Sequence, residues 1–191
     1  YIKNIFLKLV GDHNILNATA AIAVSLNIGV KIFTIKKALK SFSGVQRRLT
    51  KVFQKNKIEF YDDYAHHPTE IKSVISGIQK VSNDRKIIII FQPHRYTRIK
   101  SLKKEFASCF KNATYVILCP IYPAGEKKDK NYNQTKFAKL INKFSKTQVI
   151  TVQNEDDVKK YLKKNLIDNE IVIGMGAGTI SKWMNNLKSD L

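Results

Sequence analysis

The pattern of hydrophobic and polar positions changes near residue 49, and two short helices are predicted before that point. Apolar residues recur at helical spacing in "NILNATAAIAVSLNIG" (14–29) and "TIKKALKSF" (34–42). Gly29 is the expected C-terminal cap of the first helix, and Thr34 the expected N-cap of the second. The mixed pattern of residues 1–9 predicts a strand that ends at "GDHN".

From residue 49 the pattern predicts strands that alternate with helices. "LTKVFQ" and "KIEFYDDY" read as two strands with "KN" between them, and "KIIIIF" is a β-branched run typical of a strand buried on both faces. Further helices are predicted over 68–81, 97–110, 133–144, 155–166 and 179–187, with strands over 115–121, 148–152 and 170–178. This order predicts an α/β fold, with a mostly parallel sheet between two layers of helices.

Composition limits the class of protein. Hydrophobic residues make up 43% of the 191 residues, which is enough for a core, and no apolar run approaches the length that spans a bilayer. The start of the chain does not resemble a secretory signal. Cys109 and Cys119 lie in apolar segments without a CxxC motif, so we expect buried, reduced thiols in a cytosolic protein.

The net charge of +19 has two interpretations. It could indicate a nucleic-acid-binding protein, or it could reflect a lysine-rich composition of the kind that an AT-rich genome gives. The sequence contains no RNP-like aromatic motif and no zinc-finger spacing. Charge alone describes electrostatics and not fold or function, and we expect it to favour small anionic ligands.

Unusual polar residues follow four predicted strands directly. "KIEF" is followed by "YDDYAHHP", "KIIIIF" by "QPHRYTR", "YVILCPI" by "YPAGE" and "EIVIG" by "MGAG". Ligands of open parallel sheets bind outside the carboxyl ends of the strands. The sequence therefore predicts a binding site at this edge of the sheet.

The acidic and histidine residues of "YDDYAHHP" do not predict a metal site. Asp62, Asp63, His66 and His67 are suitable ligand types. Adjacent histidines on an extended segment, however, point to opposite sides, so both can hardly bind one ion. A carboxylate that faces sugar hydroxyls and a histidine that donates to an anion fit the segment better.

Arg95 and Arg98 are three residues apart and share a face if the segment opens a helix. Their guanidinium forks suit a carboxylate or a phosphate, although two solvated surface arginines would give the same spacing. "GMGAGTIS" lacks the GxGxxG spacing, so tight packing of strand against helix is its expected role. Asn14 could cap the first helix or contact an adenine edge.

Taken together, these motifs resemble the Mur ligases. "GDHNILNATAAIA", "SFSGVQRRL", "YDDYAHHPTEI", "FQPHRYTR", "IYPAGE" and "GMGAGTIS" occur in the order found in that family. The resemblance implies that residues 1–44 are the helical end of a central ATPase domain and that residues 45–191 are a Rossmann-like, amino-acid-binding C-terminal domain. No GxxGK[ST] motif occurs, so the P-loop, the main Mg²⁺ ligands and the UDP site are expected upstream, and this chain alone is not expected to catalyse.

The resemblance also implies a reaction and the residues that serve it. ATP would phosphorylate the carboxylate of UDP-N-acetylmuramate, and the amine of L-alanine would displace phosphate, for peptidoglycan synthesis in the bacterial cytoplasm. The implied catalytic residues are His66, Arg95 and Arg98. The implied alanine-binding residues are Tyr64, His66, Arg95 and Arg98. The implied ATP-binding residues are His13, Asn14 and Asn17 at the adenine, Arg48 at the phosphates and Asp63 at the ribose.

Other functions stay open at this point. The chain could belong to a related murein-peptide ligase, which resembles it less at "FQPHRYTR". It could also be a stand-alone module that binds a nucleotide or an amino acid, or a basic nucleic-acid-binding domain. The implied partners are UDP-N-acetylmuramate, L-alanine and ATP, with neither a nucleic acid nor a membrane among them.

Overall fold

The structure is a computed structural model that describes residues 2–9 and 11–191. The chain forms two compact units, residues 1–45 and residues 46–191. Among the described helices, none has both the length and the apolar character needed to cross a membrane. The assignment of the first unit to an ATPase domain stays a prediction.

The first unit contains two helices, α1 (Asp12–Asn27) and α2 (Ile32–Ser41). The predicted end of α1 at Gly29 is confirmed, since this glycine has a left-handed φ of 84° just past the helix. The N–H of Gly29 donates to the Leu26 carbonyl and the N–H of Val30 to the Ser25 carbonyl. These two bonds form the Schellman arrangement that glycine permits.

Three details of this unit differ from the sequence predictions. Residues 2–9 form no strand, and Asn4 has a left-handed φ of 60°, which a strand does not contain; residue 1 lies outside the described part. Thr34 does not cap α2, because the helix already begins at Ile32 with Lys31 as its N-cap. Asn14 does not cap α1, since Gly11 holds that position.

The second unit has the predicted alternation of strands and helices. The strands are β1 (Thr50–Lys55), β2 (Ile58–Asp63), β3 (Ile87–Phe91), β4 (Tyr115–Leu118), β5 (Gln148–Thr151) and β6 (Ile171–Met175). The helices are α3 (Pro68–Gln79), α4 (Tyr96–Ser101), α5 (Lys103–Ser108), α6 (Gln134–Ser145), α7 (Glu155–Asn165) and α8 (Ile180–Asp190).

The six strands form one mixed sheet in the order β1-β2-β6-β3-β4-β5. The predicted hairpin is confirmed, since β1 pairs antiparallel with β2. All other pairs are parallel, so the strands from β2 to β5 end at the same edge. Because β6 lies between β2 and β3, the loops that follow these two strands are separated by one strand.

Helices cover both faces of the sheet and enclose two apolar cores. Successive isoleucines of β3 alternate between them: Ile87 and Ile89 belong to one core, and Ile88 and Ile90 to the other. The first core contains residues of α3, α5 and α6, and the second contains residues of α7 and α8. This alternation confirms the prediction of a Rossmann-like α/β layer structure with a strand buried on both faces.

The predicted helix over 97–110 is kinked into α4 and α5 at Leu102. The backbone of Leu102 (φ −111°, ψ 29°) leaves the helical region. The N–H of Leu102 still donates to the Arg98 carbonyl, and the N–H of Phe106 to the Leu102 carbonyl. Leu102 and Phe106 both pack in the first core, so packing accompanies the departure from a regular helix.

Candidate functional site

The carboxyl edge of the sheet brings together aromatic and histidine side chains from three loops. The His66 ring, after β2, lies 5.7 Å from the His94 ring, after β3, measured between centroids. The His94 ring in turn stacks on Tyr122, after β4, at 5.6 Å. The predicted clustering of polar residues at this edge is therefore present in the structure.

The loop after β2 presents Tyr64 and His66. Nδ1 of His66 lies 2.9 Å from the carbonyl oxygen of Tyr64 and 3.6 Å from Oε2 of Glu70. The Tyr64 ring is 37% exposed and meets the His66 ring edge-on at 5.1 Å. Backbone hydrogen bonds hold the loop, since the N–H of Tyr64 donates to the Arg47 carbonyl at 2.7 Å.

His67 serves as the N-cap of α3. Its Nδ1 accepts a hydrogen bond from the N–H of Thr69 at 3.3 Å. Glu70 completes a capping box, since its Oε2 accepts from the N–H groups of His66 and His67 at 3.0 and 3.2 Å. With Pro68 in the first turn, these bonds fix where the helix begins and thereby orient the preceding loop.

The loop after β3 presents His94 and Arg98. Arg98 Nη1 donates to His94 Nδ1 at 3.0 Å. Burial, followed by the charges of Arg98 and His66, lowers the pKa of His94, so its ring is neutral at pH 7. Arg95 is exposed and occupies the N-cap of α4 with a left-handed φ of 70°.

The loop after β4 anchors the start of α4. The N–H of Arg95 donates to the Tyr122 carbonyl at 2.9 Å. Glu126 accepts hydrogen bonds from the N–H and the hydroxyl of Thr97. The hydroxyl bond, despite the opposing effect of desolvation, lowers the pKa of Glu126, so this side chain is a carboxylate that complements the helix N-terminus.

The glycine turn after β6 provides close packing. A Cβ at Gly176, whose φ is 150°, would lie 2.7 Å from the Gln92 carbonyl oxygen. A Cβ at Gly178 would lie 2.6 Å from Cγ of Tyr122. The amide of Gln92 donates to the Thr179 hydroxyl and accepts from the N–H of Ile180, which ties β3 to the start of α8. These contacts confirm the packing role predicted for the turn.

Asp63 is buried at the end of β2 and binds two backbone N–H groups. Its Oδ2 accepts from the N–H of Leu49 and its Oδ1 from the N–H of Ala65, both at 2.7 Å. Burial raises the pKa of this carboxyl, while those hydrogen bonds and the charge of Arg48 oppose the rise. The ribose contact stays a prediction, and it requires the remaining lone pairs of a carboxylate that is 2% exposed.

The two adjacent arginines have different surroundings. Arg47 lies 4.8 Å from the centre of the Tyr64 ring, and its guanidinium contacts Asp62 at 3.3 Å and donates to the Gly176 carbonyl at 2.6 Å. Arg48 is exposed, 5.9 Å from the centre of the same ring. Arg47 thus links three segments of the edge, while Arg48 has the freedom that a phosphate ligand would need.

The residues predicted for the adenine lie in the first two turns of α1. His13 and Asn14 are half-buried and Asn17 is exposed. The His13 ring is folded over Gly11, where a Cβ would lie 2.6 Å from its Cε1. Their role at adenine stays a prediction.

The described residues contain no group of three or more His, Cys, Asp or Glu able to hold a metal ion. The geometry of the edge instead suits an organic anion. Arg98, Arg95 and the outer nitrogen of His94 are donors, and the rings of Tyr64 and Tyr122 pack against His66 and His94.

Sequence reasoning placed the segments after the strands at this edge and gave roles to Tyr64, His66, Arg95 and Arg98. It gave no role to His94, Tyr122 or Glu126. The available signal was position, since His94 follows the same buried strand as the two arginines. The sequence does not show the order of the strands. That order places β2 and β3 on either side of β6, so that His66 and His94 of the loops after them come into contact.

The chain is similar to known proteins along its full length. Residues 47–178 match the family model described as the Mur ligase glutamate ligase domain. The UDP-N-acetylmuramate–L-alanine ligase of Pelagibacter ubique is 51% identical over 186 residues, which cover 97% of this chain and 40% of that protein. The chain thus spans about two fifths of the length of that relative.

Two crystal structures show the same architecture. The UDP-N-acetylmuramate–alanine ligase of Thermotoga maritima gives a TM-score of 0.81 at 27% identity, over 99% of this chain and 40% of that one. A murein peptide ligase of Psychrobacter arcticus gives a TM-score of 0.72 at 25% identity, over 97% of this chain and 38% of that one.

Proposed function

The chain belongs to the Mur ligase family, and on that premise we propose that it is the C-terminal part of an ATP-driven ligase that joins L-alanine to UDP-N-acetylmuramate. The observation that carries this proposal is the arrangement of His66, His94 and Arg98 at the carboxyl edge of the sheet. It offers donors to the carboxylate of a free amino acid. The choice of alanine rests on the relative from Pelagibacter ubique.

The proposed reaction has two steps, and this chain serves the second. ATP converts the muramate carboxylate into an acyl phosphate, whose carbonyl carbon is then attacked by the alanine amine while phosphate leaves. Arg98, Arg95 and His94 hold the alanine carboxylate, and Tyr64 and His66 lie beside its amine. The contribution of these groups is orientation and electrostatic stabilisation, without a covalent link to the protein.

The family resemblance also implies which residues hold the nucleotide. We assign His13, Asn14 and Asn17 to adenine, Arg48 to the phosphates and Asp63 to the ribose. Magnesium, which the family implies alongside ATP, finds no cluster of three suitable ligands among the described residues, so no step is assigned to it here. We place the reaction in the bacterial cytoplasm, as part of peptidoglycan synthesis.

The test requires this chain joined to the upstream region that its relatives carry, taken from its own coding sequence. We call that protein the full-length ligase. Phosphate release should require ATP, UDP-N-acetylmuramate and L-alanine together, and residues 1–191 alone should show no turnover. Phosphate release with a murein peptide but not with L-alanine would assign the chain to the murein-peptide ligases instead. Release with neither would contradict the proposal.

A further inference from the structure

The two histidines of the site have opposite tautomers, and their hydrogen bonds determine them. His66 Nδ1 lies 2.9 Å from the Tyr64 carbonyl oxygen. A carbonyl oxygen can only accept, so Nδ1 of His66 carries the hydrogen. In the neutral ring, Nε2 of His66 then has a free lone pair and can accept a proton.

His94 is fixed in the other way. Its Nδ1 lies 3.0 Å from Nη1 of Arg98, and a guanidinium can only donate. The hydrogen of the neutral His94 ring is therefore on Nε2, which is a donor. Among the described residues, neither Nε2 atom has a hydrogen-bond partner, and neither is a buried unpaired atom. One proton acceptor and one proton donor thus face the solvent from rings 5.7 Å apart.

We propose that Nε2 of His66 is the general base that takes a proton from the α-ammonium group of the incoming amino acid, while Nε2–H of His94 and Arg98 bind its carboxylate. The inference rests on the proposed function and deepens it, because the amine of a free amino acid is protonated at pH 7 and cannot attack until it loses a proton. An α-amino acid carries its ammonium and carboxylate on one carbon, which matches the complementary pair of rings.

The step is balanced in atoms and charge. One proton moves from the ammonium group to His66 Nε2 and leaves an amine and an imidazolium. The amine lone pair forms the C–N bond at the acyl phosphate, and the C–O bond to phosphate breaks. A second proton of the attacking nitrogen passes to the departing phosphate, and His66 returns its own proton to solvent.

The surroundings of His66 suit an imidazolium intermediate. Glu70 of α3 lies 3.6 Å from Nδ1, and the Tyr64 carbonyl accepts the Nδ1 hydrogen. Burial of Glu70 favours its neutral form, but the N–H of His66 and the charge of that ring outweigh this effect and lower the pKa of Glu70. The other titratable and charged groups around the ring are Tyr64, His67, His94 and Arg98, with Arg48 acting through Glu70.

The test compares two nucleophiles in the full-length ligase. In the His66→Asn variant, the side-chain amide can still donate to the Tyr64 carbonyl, but no base remains. We expect kcat with L-alanine to fall by about 10²–10⁴-fold, with the KM for L-alanine changed less than about threefold, a difference near RT ln 3. Hydroxylamine is mostly unprotonated at pH 7 and needs no base, so its hydroxamate product should form at the unmodified rate.

The outcomes separate this inference from the proposed function. If the unmodified ligase gives no hydroxamate from ATP and UDP-N-acetylmuramate, the proposed function fails. If it gives hydroxamate and the His66→Asn variant retains its kcat with L-alanine, His66 is not the general base. Equal losses with alanine and hydroxylamine would also overturn the base, since they would show a structural defect.

A second pair of variants tests His94. The His94→Gln variant keeps an N–H donor near the position of Nε2, so its KM for L-alanine should stay within about threefold. The His94→Leu variant removes the donor and should raise this KM by about tenfold or more, with unchanged hydroxamate formation. Equal KM values for the two variants would contradict the donor role.

Discussion

At the scale of single residues, side chains that offer free polar atoms at the edge of the sheet lie beside side chains that hold the backbone. Arg98 and His94 present polar atoms to the site, whereas Asp63 uses both carboxylate oxygens on backbone N–H groups. The adjacent residues Arg47 and Arg48 differ in the same respect. Arg47 bridges three segments of the edge, whereas Arg48 is exposed. Residue type alone therefore does not identify the ligand contacts.

The first prediction concerns the guanidinium fork of Arg98. In the full-length ligase, Arg98→Lys keeps the charge but cannot bond His94 and a carboxylate together through a planar fork. We expect the KM for L-alanine to rise more than tenfold, about 1.4 kcal/mol, with the KM values for ATP and UDP-N-acetylmuramate nearly unchanged. Steady-state kinetics with each substrate varied in turn measures this.

Arg95→Lys provides the comparison. Arg95 is exposed, so this substitution should raise the KM for L-alanine less than Arg98→Lys does. If both variants leave the KM for L-alanine and the turnover within about twofold, a difference near RT ln 2, neither arginine binds the carboxylate.

The second prediction concerns Asp63. Asp63→Asn preserves the shape but leaves only one side-chain acceptor for the N–H groups of Leu49 and Ala65. We expect the free energy of unfolding to fall by about 1–3 kcal/mol, because one buried donor loses its partner. Urea denaturation of residues 1–191 measures the difference.

Asp156→Asn makes the same change of charge at a side chain that is 76% exposed, and should alter the stability by less than about 0.5 kcal/mol. A loss in Asp63→Asn no larger than in this control would show that the buried hydrogen bonds contribute little.

At the scale of elements, the helix caps define where the site loops begin and end. The capping box of His67 and Glu70 starts α3 at Pro68, three residues after Ala65, so it limits the conformations of the His66 loop. Glu126 does the same for α4 by binding Thr97. The glycine turn after β6 completes the edge by allowing Gln92 and Tyr122 to approach.

The third prediction concerns the cap of α3. His67→Ala removes the acceptor of the Thr69 N–H, so we expect a loss of about 1 kcal/mol in the free energy of unfolding. His67→Asn restores a side-chain acceptor at the N-cap and should recover most of that loss. Thermal and urea unfolding of residues 1–191 would measure both. A His67→Asn variant as unstable as His67→Ala would show that the imidazole acts through another contact.

The elements were predictable to the extent that local pattern controls them. The run "KIIIIF" correctly predicted strand β3, because a strand that is buried on both faces needs apolar residues at every position. The kink at Leu102 was not predictable, since it accompanies packing against residues distant in the chain. The tautomers of His66 and His94 were also not predictable from the sequence. They are set by a carbonyl and a guanidinium group whose positions depend on the fold.

At the scale of the whole molecule, burial is concentrated in the second unit. Ile35 is the only apolar side chain before residue 46 that is buried among the described residues. Both apolar cores lie after residue 57, on the two faces of one sheet. A unit with its own cores and closed layers has what it needs to fold independently.

The fourth prediction follows from this distribution. Residues 46–191 expressed alone should unfold in one cooperative transition, and their far-ultraviolet circular dichroism should show mixed α/β structure. The unfolding midpoint should lie close to that of the corresponding transition in residues 1–191. A gradual, non-cooperative loss of signal would show that the sheet depends on the first unit.

The two cysteines lie in different cores, Cys109 on one face of the sheet and Cys119 on the other. Both are buried, and burial raises the pKa of each thiol, so an alkylating reagent reaches neither one until the surrounding layer opens. The labelling rate of each thiol therefore reports how fast the helix layer that covers it opens. Equal labelling rates would mean that the layers detach in the same event, and unequal rates would identify the layer that detaches first.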